Sequence, residues 1–70
     1  MEAFIVARRL CAGDTLAERL RGVDLMRSVA EKDRARLVLR YLRASETDET
    51  LLWAIDGALA ACGEVEDVGR

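Results

Sequence analysis

Apolar residues recur along the chain at helical rather than strand spacing, and polar runs divide them into four segments. The first, Ala3 to Cys11, sets Ala3, Val6, Ala7, Leu10 and Cys11 on one side and is closed by Ala12-Gly13. Its Phe4-Ile5-Val6 run also suits a short strand, so the pattern leaves helix and strand open there. The second segment opens at Asp14 or Thr15. Thr15 followed by Glu18 is a capping-box pattern, in which side chain and backbone satisfy each other's unpaired donors. Leu16, Ala17 and Leu20 give this helix a narrow apolar edge, and Gly22 predicts its end near Arg21. Val23, Leu25 and Met26 then continue the apolar supply through a turn or short helix that Asp24 caps.

In the third segment, Ser28 with Glu31 forms a second capping-box pattern and opens a helix that reaches about Arg43. At about 100° per residue, Ala30, Leu37, Tyr41, Val38, Leu42, Ala35 and Leu39 fill one arc of roughly 200°. An arc that wide predicts a central helix touching at least two others. On its remaining side Lys32, Arg36, Arg40 and Arg43 form a continuous basic stripe. Ser45 or Thr47 is placed to cap the fourth helix, with Glu46, Asp48 and Glu49 where a helix N-terminus favours negative charge. That helix runs to about Cys62, with Gly63 as the residue that turns the chain out of it. Its core face is Leu51, Leu52, Ile55, Ala58, Leu59 and Cys62. The other side carries Trp53, Ala54, Gly57, Ala60 and Ala61, with Asp56 at the border, so it has almost no charged face.

These patterns predict an all-α fold, a small bundle of three to four helices in one domain spanning 1–63, with 64–70 as a flexible tail. Size adds a constraint. A chain of 70 residues buries only roughly 60% of its unfolded surface, so three other short segments cannot enclose a helix that is apolar nearly all round. The expectation is a bundle completed by dimerisation, with the Trp53 face as the contact. A bulky aromatic beside Gly57 and alanines suits helix-on-helix docking.

Charge sharpens this picture. The net charge of −2 conceals ten Arg/Lys against five Asp/Glu over residues 8–43, and seven Asp/Glu with no base over 44–69. Ten of the eleven bases are arginine, the side chain suited to bidentate contacts with carboxylate or phosphate. Lys32, Arg36, Arg40 and Arg43 are therefore candidates for binding an anion or an acidic partner. The ordinary alternative is a solvated face whose charges pair within the chain.

Catalytic chemistry is poorly supplied. Histidine is absent, no Gly-rich phosphate loop is present, and Cys11 and Cys62 lack the spacing of a zinc or redox pair. No enzyme activity, cofactor or metal is expected. The two cysteines fall on core sides and read as small buried hydrophobes, free to meet in the fold but reduced. Leu16-Ala17-Glu18-Arg19-Leu20 has the look of the first helix of a helix-turn-helix. However, the turn glycine expected four residues after Ala17 is replaced by Arg21, and Arg27 stands where an apolar residue belongs. No apolar run is long enough to span a membrane. The two arginines follow rather than precede the first apolar stretch, the wrong order for a secretory signal, which implies a cytoplasmic chain. The function most consistent with these features is a homodimeric adaptor, or an inhibitor or regulator of a larger protein complex. The alternative is a nucleic-acid-binding regulator that uses the arginine stripe.

Overall fold

Each of the four segments forms a helix in the computed structural model, which describes residues 2–63: α1 (Ala3–Cys11), α2 (Leu16–Met26), α3 (Lys32–Ser45) and α4 (Glu49–Ala61). No strand occurs among the described residues, and the fold is a small all-α bundle. The expected tail, 64–70, lies outside the described residues. The strand alternative for Phe4-Ile5-Val6 is resolved by burial at helical spacing, since Phe4, Ala7 and Cys11 enter the core together.

Local chemistry explains where the helices begin. Thr15 accepts from the Glu18 backbone N–H at 3.1 Å and its own N–H donates to the Glu18 carboxylate at 3.1 Å, completing the expected capping box. The Thr15 N–H and the Thr15 hydroxyl both donate to the Glu18 carboxylate, and these two bonds hold its carboxyl below the ordinary range. The other two N-termini differ from expectation. Ser28 does not cap α3: its hydroxyl donates back to the Leu25 carbonyl at 3.1 Å, and the buried Val29 carries the chain on before α3 starts at Lys32. Neither Ser45 nor Thr47 caps α4. Asp48 does so, accepting from the Leu51 N–H at 2.9 Å, while Ser45 still belongs to α3. At the far end Gly63 adopts φ 95°, the left-handed turn expected of it.

Gly22 corrects the expected end of α2. The helix continues through it to Met26, and Gly22 is buried against α1. A Cβ there would lie 2.8 Å from the Leu10 carbonyl carbon and 2.9 Å from the Ala7 oxygen, and it would also overlap the Cys11 nitrogen. The glycine thus lets two helix backbones touch. It makes the α1–α2 hairpin the most closely packed pair in the molecule.

The core is one cluster drawn from all four helices together with Val29 and Cys62. Its largest fully buried side chains are Met26, Leu39, Leu51, Ile55 and Val23. Cα positions span only 15 Å in the thinnest direction. With a Cα radius of about 2.3 Å and helix axes roughly 8–10 Å apart, that thickness holds two layers of helix. Every helix therefore keeps an outward face. As expected, α3 touches more than one neighbour, meeting α1, α2 and α4, but it is not central: Ala35, Leu39 and Leu42 are buried, while Leu37 is 64% and Tyr41 81% exposed. The central role falls to α2, which packs chiefly on α1 and α4 and also meets α3.

Gly22→Ala tests the backbone contact. Helix propensity alone would favour alanine by about 1 kcal/mol, yet forced overpacking costs about 1–3 kcal/mol and must here displace backbone. Thermal unfolding followed by circular dichroism should show a lower midpoint for the variant; an unchanged or higher midpoint would mean that α1 and α2 are not held this closely.

Candidate protein interface

The outward face of α4 follows from its own geometry. Leu51, Ile55, Ala58 and Leu59 point into the core, which directs Trp53, Gly57 and Ala60 away from it at i, i+4 and i+7. Trp53 is 80% exposed. Gly57, Ala60 and Ala61 are exposed as well, while Ala54 is half-buried and packs against the core. The five residues thus share a surface, with Ala54 at its inner edge. Beside Trp53 a groove of about 620 Å³ opens between α2 and α4, lined by Leu20, Val23 and Ala54 with Asp24, Arg27 and Asp56 at its charged positions. A Cβ on Gly57 would meet nothing within 4 Å, so no neighbour within the molecule requires glycine there.

The basic stripe is distributed among internal contacts. Lys32 Nζ donates to the Arg27 carbonyl at 2.8 Å, tying the start of α3 to the loop before it. Arg36 Nη1 donates to the Cys62 carbonyl at 2.6 Å, and its other terminal nitrogen pairs with Asp33. A cation at that place stabilises the negative end of α4. Arg43 pairs with Asp56 at 2.7 Å, joining α3 to α4. Arg40 is exposed on the same helix and has contacts of its own. Lys32, Arg36 and Arg43 therefore bind structural partners before any external anion.

A surface that sequence reasoning placed in the core appears on α3. Leu37 and Tyr41 stand at the edge of a groove of about 690 Å³ whose floor includes Cys11, Val38 and Leu42. Arg8 forms part of its wall. One end is closed by Arg19, which pairs with Glu46 at 3.0 Å and donates to the Gly13 and Asp14 carbonyls at 3.0 and 3.2 Å. The Glu46 carboxylate in turn accepts from the Thr47 and Asp48 backbone N–H groups. This knot binds the α1–α2 loop to the α3–α4 loop. The width of the apolar arc on α3 was the available signal, since it exceeded what two layers can cover.

Both cysteines are buried and free. Cys62 Sγ donates to the Met26 carbonyl at 3.6 Å, and burial pushes the Cys11 thiol from 9.0 up to about 11. Among the described residues no three Cys, Asp or Glu side chains are grouped to hold a metal ion, and no helix is long and apolar enough to cross a membrane. A thiol reagent at about pH 8 should modify Cys11 only as fast as the protein opens, so full labelling of the native fold within seconds would contradict this burial. The unfolded chain loses the Cys11 proton first, so stability should fall as pH rises from 9.0 towards about 11. Comparison of the chain with protein-family models, with curated proteins and with solved structures finds no match.

Proposed function

We propose that the protein is a small, non-catalytic protein–protein interaction module, a homodimer that serves as an adaptor or as an inhibitor or regulator of a larger protein complex. The observation that carries this reading is Trp53, 80% exposed on a helix face without charge at its centre. Exposed tryptophan beside a groove is the kind of side chain that supplies most of the energy in a protein interface. Gly57 adds to it. An interior helical glycine costs about 1 kcal/mol relative to alanine, and the space it leaves lies outside the chain. A second backbone can use that space.

A second copy fits this surface because knob and groove lie side by side on it. In a two-fold dimer Trp53 of each protomer enters the α2–α4 groove of the other. Asp24 and Arg27 lie along the same groove with opposite charges and take part in no ion pair among the described residues, so each can pair across the axis. The nucleic-acid reading has less support, because Lys32, Arg36 and Arg43 are engaged within the fold. A compartment within the cytoplasm suits free, buried thiols.

Sedimentation velocity at concentrations on the order of 50 μM should give a dimer for the wild type and a monomer for Trp53→Glu, with the same helical circular dichroism. A monomeric wild type removes the homodimer. Gly57→Ala should separate local from intermolecular effects: the monomer gains up to about 1 kcal/mol in stability, while dimerisation weakens. Equal dimerisation by Gly57→Ala and wild type would show that no close approach occurs at this position. Tight binding of duplex DNA at low salt, lost steeply as salt rises, would transfer the reading to nucleic acid.

A further inference from the structure

The groove beside Leu37 and Tyr41 belongs to other elements than the Trp53 face and has a different character. Single exposed apolar side chains are ordinary; here Leu37 and Tyr41 line one groove together with Val38, Leu42 and Cys11. Arg34, Val38, Tyr41 and Ser45 follow one another along α3 at i, i+4, i+7 and i+11. At about 1.5 Å per residue they extend over roughly 16 Å, the length of three helical turns. The groove end is already organised by the Arg19–Glu46 knot, so a ligand need not order it.

Charge narrows the choice of ligand. Arg8 lines the wall, and the Arg34 guanidinium lies 4.4 Å from the centre of the Phe4 ring, three residues before Leu37. Among the described residues neither Arg8 nor Arg34 takes part in an ion pair. Glu46 is the one carboxylate in the groove lining, and it is committed to Arg19 and two backbone N–H groups. The surface is thus an apolar trough with Arg8 in its wall and Arg34 beyond the lining, over Phe4 where α3 meets α1. A phosphate backbone would meet mostly Leu, Val and Tyr there, whereas an amphipathic helix matches both features.

We infer that the groove between α1 and α3 receives an amphipathic helix of a partner protein, its apolar stripe inserted beside Leu37 and Tyr41 and its flanking carboxylates paired with Arg8 and Arg34. Specificity comes from the arginines, because an apolar stripe flanked by lysine would be repelled. This surface is independent of the α4 dimer. It supplies the contact to a larger complex that dimerisation through Trp53 leaves open.

The full chain can be panned against a displayed library of random peptides of about twelve residues, with counter-selection on Tyr41→Asp. Tyr41 and Leu37 are exposed, so Tyr41→Asp and Leu37→Asp should keep the wild-type circular dichroism. Selected peptides should carry apolar residues at i, i+3 or i+4, and i+7, with Asp or Glu beside them. The strongest of them, followed by fluorescence anisotropy, should bind Leu37→Asp and Arg8→Glu at least tenfold more weakly than wild type and bind Trp53→Glu equally well. Selection of basic peptides, failure to enrich over Tyr41→Asp, or binding that survives Leu37→Asp would overturn the proposal. So would displacement of the peptide by duplex DNA at low salt, which assigns the arginines to phosphate. Tighter peptide binding after removal of residues 64–70 would also overturn it, since the chain's own acidic end would then be the occupant.

Discussion

The backbone contact at Gly22 is the constraint on which the rest of the arrangement depends. Because α2 approaches α1 without an intervening side chain, Phe4, Ala7 and Cys11 of one helix join Val23 and Met26 of the other in the same cluster. The core side chains of α3 and α4 complete that cluster. Arg19 then ties the hairpin's own loop at Gly13 and Asp14 to the α3–α4 loop at Glu46, and Arg36 holds the end of α4 against α3. Long-range order in this small chain therefore combines the Gly22 contact and the shared core with arginine braces at Arg19, Arg36 and Arg43.

A two-layer molecule with this many apolar residues has more apolar surface than it can cover, and the surplus is divided unequally. On α4 it is a tryptophan knob beside glycine and alanine, with charge only along the adjoining groove. On α3 it is a trough with arginines. The first surface suits a partner that approaches closely and symmetrically. The second suits an extended ligand with its own charge pattern. The division gives chemical content to the basic centre of the chain: part of the positive charge braces the fold, Arg8 lines the trough, and Arg34 lies over the Phe4 ring.

Much of this was legible in residue spacing. The existence of four helices, the Thr15–Glu18 capping box, the Gly63 turn and the two sides of α4 all follow from local rules, and the fold carries them out. The misreadings share a cause. Gly22 looks like a helix end because glycine is helpful there, yet the same lack of a Cβ serves close helix packing, and only the neighbouring helix decides between the two. Ser28 has the spacing of a cap, but its hydroxyl finds the Leu25 carbonyl first. The arc on α3 was measured correctly in width; what spacing cannot state is how many neighbours are available to cover it. Leu37 and Tyr41 were assigned to the core for that reason, and the trough was missed with them.

Among the described residues no polar or charged side chain is buried, and this has a consequence for how the protein can change. A core that is apolar apart from the bond of Cys62 Sγ to the Met26 carbonyl imposes mainly shape and volume, so many apolar combinations of similar size can fill it. The residues that brace the loops and those that face outward form separate sets from the core, sharing few positions with it. Substitutions at core positions that line neither groove, unlike Cys11, Val23 and Leu42, can therefore leave the outward surfaces unaltered. The exposed Trp53 and Tyr41 can likewise change without rebuilding the interior. Descendants of such a chain could keep the same helices and diverge in partners, with Gly22 among the few positions at which both histories must agree.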